Sequence, residues 1–281
     1  HTANCICGCG AAREPDVPVI VILRLAARCD PSAQGGFRRW LGFGPERRLY
    51  RRGARVVGVS RGVAEEATEV FGVPRERVVG IPNPRQSREV SQDISPTHET
   101  FFDKPVVLGV GRLAPQKDFG TLLRAFAEAR ATRDLHLVVL GEGPEREALA
   151  ELGAALGIAD RVFFPGFVPN PQAYLRRARV FVLSSRNEGF PGALIEAMEA
   201  GAAIVSTDCP YGPTEILDGG RFGRLVPVGD APRLAEALDA ALAEPDVEHE
   251  QRRAARAEWM RQFDPEVITR QYVELVRDVI G

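Results

Sequence analysis

From Pro105 onward the chain alternates short apolar runs with longer amphipathic stretches. Residues 106–110, 135–140, 162–164, 180–183, 203–206 and 223–226 read as strands. Residues 118–131, 144–156, 172–177, 191–200, 213–217 and 231–243 read as helices, the first with Leu122, Leu123, Phe126 and Ala129 on one face. A last helix, 265–280, follows a charged stretch. Continuous Val/Leu strands separated by helices predict an α/β fold with a parallel sheet covered on both faces. Such sheets bind ligands beyond the carboxyl ends of their strands, so the residues after each strand are the candidates for chemistry.

Ahead of Pro105 the pattern is weaker. Residues 17–23, 56–59 and 78–81 read as strands, and Ser60 as the cap of a helix reaching about Phe71. Residues 38–52 read as an Arg-rich helix with Phe37, Trp40, Leu41, Leu49 and Tyr50 as its apolar members. Residues 85–104 are polar and aperiodic and read as a linker. The expected division is therefore 1–84, a linker at 85–104, a second domain over 105–245, and a helical segment over 246–281.

Composition narrows the class. The 281 residues are 44% hydrophobic and 26% charged, the profile of a soluble globular protein. No run approaches 18 apolar residues, and no signal-peptide pattern is visible. The chain begins at His1 rather than Met, as a fragment would. A net charge of −2 argues against a nucleic-acid binder that relies on bulk charge. Residues 1–84 net +5 and the remainder −7, which points to different partners for the two parts. Among 36 basic residues only Lys104 and Lys117 are lysine, so a retained Lys marks a place for a compact charge. Cys5, Cys7 and Cys9 are spaced too tightly for an ordinary zinc site, with no partner pair nearby, and read as incidental thiols.

The loops after the strands carry the candidate chemistry. Gly111 to Lys117 contains a G-x-G-x-x-A string, but Pro115 postpones the helix and no acid follows at a strand end about 20 residues on. Two readings stay open there: Arg112 and Lys117 reach an anion beside a helix N-terminus, or they are solvated surface cations. Gly141-Glu142-Gly143-Pro144 is a tight turn, and Phe167 either borders a planar base or packs. The strongest stretch runs from Ser184 to Met198. There Gly189 permits close backbone approach, and Pro191 opens a helix whose free N–H groups, Gly192 to Leu194, favour a phosphate. Glu188 is either functional or a helix cap, and Glu196 either meets ribose hydroxyls or makes a structural hydrogen bond. The Asp208 to Leu217 loop is a Gly/Pro turn with Glu215 in the following helical turn.

Taken in order, these strings resemble the glycosyltransferases of family 4, the glycosyl transferases group 1. They are G-R-L-x-x-Q-K-D (111–118), L-G-E-G-P (140–144), G-F-V-P-N (166–170), E-G-F-P-x-x-L-I-E-A-M (188–198) and D-C-P-x-G-P-x-E-I-L (208–217). The resemblance spans about 55–245. It implies the GT-B fold, two Rossmann-like domains, with the C-terminal donor-binding one complete and the N-terminal, acceptor-side one truncated. It implies a retaining transferase moving a hexose or N-acetylhexosamine from a nucleotide-sugar to an acceptor hydroxyl in cell-surface glycan assembly. Likeness in the 209–217 loop favours a UDP-linked donor. Arg112 and Lys117 would contact the diphosphate and Glu188 the sugar. Glu196 would meet the ribose, and Gly111, Gly189, Phe190, Pro191, Leu194 and Phe167 would complete the donor site. No metal or cofactor is expected, because no D-x-D cluster is present. The partners implied are the nucleotide-sugar, a glycan or lipid-linked acceptor and an anionic membrane surface, in the cytoplasm or at the inner face of the membrane. Two features depart from the family: an early Gly-rich loop is absent, and Arg24 stands where a His is usual. Because residues 1–84 are few for a full opposing domain, the 281-residue chain is accordingly expected to bind donor better than to turn it over. The alternatives are a non-catalytic nucleotide-sugar-binding fragment and a GT-B nucleotide-sugar epimerase.

Overall fold

A computed structural model describes residues 18–24, 50, 54–85, 94–244 and 246–281, the side chains of 246–252 excepted. Cys5, Cys7, Cys9, Val17 and the Arg-rich stretch other than Tyr50 lie outside the described residues.

Two parallel sheets form. In the first, β1 (Ile20–Leu23), β2 (Arg55–Gly58) and β3 (Val78–Gly80) lie in the order β1-β2-β3. Ser60 caps α1 (Arg61–Glu69) by accepting the Val63 N–H at 3.2 Å. The helix lies so close to β2 that a Cβ on Gly58 would meet the Ala64 nitrogen at 2.3 Å. Tyr50 is buried here, its ring edge-on to Phe71 at 4.6 Å.

The second sheet has the order β6-β5-β4-β7-β8-β9. Its strands are β4 (Val106–Val110), β5 (His136–Leu140), β6 (Val162–Gly166), β7 (Val180–Leu183), β8 (Ala203–Thr207) and β9 (Arg224–Val226). Alternate residues feed opposite layers. Val107, Val139 and Val180 pack beneath α2 (Phe119–Glu128), α3 (Arg146–Ala155) and α7 (Ala231–Leu242). Leu108, Leu140 and Phe181 pack beneath α4 (Pro171–Arg177) and α5 (Gly192–Ala200). A short α6 (Pro213–Ile216) follows β8. Strand order reverses direction between β4 and β7, which opens the crevice where doubly wound sheets hold ligands.

One segment differs from the sequence reading. Pro96–Phe102, inside the expected linker, is a 3-10 helix docked on the second sheet. Phe101 stacks on Phe163 at 4.7 Å, and its carbonyl meets His136 Nδ1 at 2.8 Å. The charged stretch forms α8 (Asp246–Met260), anchored by Arg256, which is buried and donates to the Ala202 carbonyl at 2.9 Å and the Phe222 carbonyl at 3.3 Å. The two carbonyls supply the acceptors that a buried guanidinium needs.

The last helix, α9 (Pro265–Ile280), returns to the first sheet. Ile268 and Leu275 pack with Val57 and Ile81 and are covered. Val273, Val276 and Ile280 face outward. Arg85 sits where the chain crosses between the sheets. It pairs with Asp264, contacts Glu199 at 2.8 Å, and its N–H donates to the Phe263 carbonyl at 2.8 Å. Among the described residues no helix is long and apolar enough to cross a membrane.

Candidate functional site

At the crevice, eight residues separate the end of β4 from the start of α2, and the loop they form meets the loop after β7. Within it Lys117 Nζ lies 2.5 Å from Glu188 Oε1. The Ser185 hydroxyl donates to the same oxygen at 2.7 Å, and Oε2 has no hydrogen-bond partner among the described residues. Backbone contacts lock the two loops together. The Arg186 N–H donates to the Gln116 carbonyl at 2.8 Å, Gln116 Nε2 to the Asn187 carbonyl at 2.9 Å, and Ser184 Oγ to the Lys117 carbonyl at 2.7 Å. Arg186 Nε also lies 3.1 Å from Asp118 Oδ2. Gly111 makes room for Lys117: a Cβ there would meet the lysine stem at 3.2 Å. Glu188 is 6% exposed, so these partners, more than water, meet its carboxylate.

Beside this pair a cavity of about 320 Å³ opens over the ends of β4, β5 and β6. Gly111, Arg112, Gly141, Glu142, Phe167 and Pro171 line it. Its floor is backbone. The Gly111 N–H donates to Leu140 O at 2.9 Å, Leu113 N–H to Glu142 O at 2.9 Å, and Gly141 N–H to Gly166 O at 2.8 Å. A Cβ on Gly141 would meet the Gly111 carbonyl oxygen at 1.9 Å, so only glycine permits this approach. Arg112 is exposed and has no ion-pair partner among the described residues. Phe167 is 76% exposed at the rim, so it borders the cavity rather than packing into the core.

The Glu188–Glu196 stretch is only partly as expected. Gly189 is required by protein, not by a ligand: a Cβ there would meet the Arg24 carbonyl oxygen at 2.1 Å. The Phe190 ring is buried against Phe263 at 5.4 Å, and its carbonyl accepts from Asn83 Nδ2 at 3.3 Å. Pro191 is the N-cap residue of α5 rather than its first helical residue. The Leu194 N–H already donates to Pro191 O at 3.2 Å and its side chain is fully buried, which leaves Gly192 and Ala193 as the open amide donors. Glu196 is half-buried in α5 with no hydrogen-bond or ion-pair partner among the described residues. Burial, reinforced by Glu199, pushes its pKa up. An acceptor in that state calls for donors from a bound molecule.

Sequence reasoning gave no role to Ser185, although its place directly after β7, at the ligand-binding edge, was a usable signal. The pairing of Lys117 with Glu188 was also missed, since the two were given separate tasks. Among the described residues no group of three His, Cys, Asp or Glu side chains is placed to hold a metal ion.

The family model described as "Glycosyl transferases group 1" matches residues 91–258, and that of a "Glycosyl transferase 4-like domain" matches 6–84. The match therefore reaches well ahead of residue 55, where the sequence resemblance begins. The lipopolysaccharide core biosynthesis glycosyltransferase LpsE of Rhizobium meliloti is 32% identical over 269 residues, 95% of this chain and 77% of that protein. The N-acetylgalactosamine-N,N'-diacetylbacillosaminyl-diphospho-undecaprenol 4-alpha-N-acetylgalactosaminyltransferase of Campylobacter jejuni is 29% identical over 69% of this chain, which spans 52% of it. In fold the chain is similar to Anabaena HepE, solved in complex with UDP, with a TM-score of 0.82 at 19% identity over 99% of this chain and 76% of that one. The chain belongs to the glycosyl transferases group 1 family, with the GT-B fold.

Proposed function

We propose that the chain transfers a hexose or N-acetylhexosamine from a UDP-linked donor to an acceptor hydroxyl, with retention of configuration, in glycan assembly. The observation that supports this best is the Lys117–Glu188 pair at the β4/β7 crevice, beside the cavity rimmed by Arg112 and Phe167. In this reading the nucleoside lies in that cavity against Phe167, and Glu196 accepts from the ribose. The diphosphate meets Arg112, Lys117 and the open amides of Gly192 and Ala193. These donors neutralise the charge that develops as the sugar–phosphate bond breaks, a role assigned to protein rather than to metal. Glu188 faces the sugar through Oε2. No protein nucleophile is needed: the new bond forms from the acceptor oxygen to the sugar carbon, and its proton passes to the departing phosphate oxygen.

Residues 105–245 are assigned to the donor, 1–84 to the acceptor, and 246–281 to the return helix. The names of similar proteins support the substrate class: HepE was solved with UDP and with UDP-glucose, and LpsE acts in lipopolysaccharide core biosynthesis. Arg38, Arg39, Arg47, Arg48, Arg51 and Arg52 are proposed to hold the protein at an anionic inner membrane face beside a lipid-linked acceptor, at about 1 kcal/mol per cation. Co-sedimentation with anionic liposomes that vanishes at high salt is expected, and salt-insensitive or absent binding would sink that part.

The test of the whole is UDP release from a panel of UDP-sugars, with and without acceptor, beside calorimetry with UDP. Binding with acceptor-dependent release supports transfer. Binding without release identifies a donor-binding protein, and acceptor-independent conversion of the sugar identifies an epimerase.

A further inference from the structure

A second cavity, of about 560 Å³, lies between the β8–α6 loop, the start of α1 and the end of α8. Its size falls within the roughly 300–1,000 Å³ usual for small-molecule sites. It shares a wall with the reaction centre. The Glu188 N–H donates to the Pro210 carbonyl at 2.8 Å, and the Tyr211 N–H returns to the Glu188 carbonyl at 2.8 Å. Both Pro210 and Tyr211 line the cavity. Along the sheet edge the sequence of features is therefore the smaller cavity over β6, β5 and β4, then the Lys117–Glu188 pair between β4 and β7, then this cavity beyond β8.

The lining combines acids, an amide and aromatic rings. Asp208, Glu215 and Asp218 supply carboxylates, Gln262 an amide, and Tyr211 and Trp259 the rings. Several polar atoms are already committed in ways that fix orientation. Glu215 Oε2 accepts the Arg61 N–H at 2.9 Å, which leaves Oε1 open. Gln262 Nε2 donates to the Trp259 carbonyl at 2.9 Å, which leaves its oxygen open. Trp259 Nε1 donates to the Ile216 carbonyl at 2.9 Å, so the indole is held in place. The Tyr211 ring lies on Gly62, where a Cβ would meet it at 2.1 Å.

Three carboxylates against Arg61, and against the Arg221 that pairs with Asp218 Oδ2 at 3.3 Å, leave the lining net acidic, which disfavours a phosphate or other anion. No group of three acidic, His or Cys side chains among the described residues is close enough to hold a metal ion. A neutral molecule rich in hydroxyl donors, with an apolar face for the rings, fits both facts. We propose that this cavity is the subsite for a neutral pyranose of the acceptor, held by hydroxyl donation to Glu215 and Asp218 beside the Tyr211 and Trp259 rings. The proposal rests on the transferase reading and names where its acceptor sits.

The experiment is saturation-transfer NMR on the whole chain with methyl α-glucoside, methyl α-galactoside and methyl N-acetyl-α-glucosaminide, alongside UDP calorimetry. Glu215→Gln keeps an oxygen for the Arg61 N–H. Asp218 has φ 51°, a left-handed conformation that Asn also tolerates, so Asp218→Asn is compatible with the turn. The expected result is a signal from at least one glycoside, weakened about ten-fold by either variant, the scale of one charge-assisted hydrogen bond. UDP affinity should be unchanged in both variants. No signal from any glycoside, or equal signals from wild type and variants, overturns the proposal. Glycoside binding without UDP binding supports the cavity while overturning the donor reading.

Discussion

Lys117 and Glu188 are 71 residues apart in the chain and 2.5 Å apart in space. One carboxylate oxygen, Oε1, takes both the Lys117 ammonium and the Ser185 hydroxyl, which directs the other oxygen away from its holders. The pair thereby ties the β4 loop to the β7 loop and holds one carboxylate oxygen free at their junction.

Separating the pair should be costly. Lys117→Met leaves a nearly buried carboxylate with one hydroxyl partner, and breaking a buried pair costs about 3–5 kcal/mol. The Lys117→Met/Glu188→Gln double variant should recover a large part of that loss. Urea unfolding of the four proteins measures it, and strictly additive losses would show that the pair does not couple. Glu188→Gln alone should spare UDP affinity and slow use of the intact UDP-sugar.

Arg112→Ala should weaken UDP binding by about 10–100-fold, the worth of one hydrogen bond to a charged group. Because Arg112 is exposed and unpaired among the described residues, its melting temperature should not move. Phe167→Ala should behave alike, with a smaller loss, because the ring is exposed at the cavity rim. Calorimetry with UDP and thermal melts decide both, and wild-type affinity in both variants would move the nucleotide elsewhere.

Glu196 couples binding to pH. Burial first, then Glu199, raises its pKa, so the folded chain holds this proton to higher pH than the unfolded chain does. Stability therefore falls as pH rises from the ordinary carboxylate value through the raised one. Glu196→Gln should remove that fall and melt higher than wild type at neutral pH, while binding UDP more weakly for want of a charged acceptor. Melts across that pH interval, paired with UDP titrations, test the two signs together. A variant that melts lower at neutral pH and binds UDP as wild type does would contradict both.

How much was legible follows from how local each signal is. The bounds of β4, β7 and α9 agree with the sequence reading because apolar runs there end at abrupt polar or Gly/Pro residues. Gly141 was legible as a turn, but not as the point where two backbones touch. Gly189 shows the limit: its need for glycine comes from Arg24 on the other sheet, and a contact over that separation leaves no trace in local periodicity. Arg256 was hidden for the opposite reason, since a charged residue in a charged helix carries no mark of burial. The 3-10 helix at 96–102 is too short for a repeat to declare it, and its Phe101 is placed by Phe163.

Cys209 should be chemically silent. It is 4% exposed, and burial followed by the nearby Glu188 charge pushes its thiol up to about 12. At pH about 8 only about one thiol in ten thousand is ionised, and the thiolate is the reactive form. Mass spectrometry after iodoacetamide treatment should find the Cys209 peptide unlabelled in the folded protein and labelled in urea. Labelling of the folded chain would show that this part of the β8 loop opens readily.

The chain passes from the first sheet to the second near Arg85 and comes back near Asp264, and Arg85 joins both passages to Glu199 on α5. Two crossings fastened at one place work as a pivot. A body tethered at a single point can swivel in every direction, whereas one held by two adjacent tethers turns mainly about the line through them. Any relative movement of the sheets would then be confined largely to one opening angle. The close approach of the Arg24 carbonyl to Gly189, which leaves no room for a Cβ, would limit that angle on the closing side.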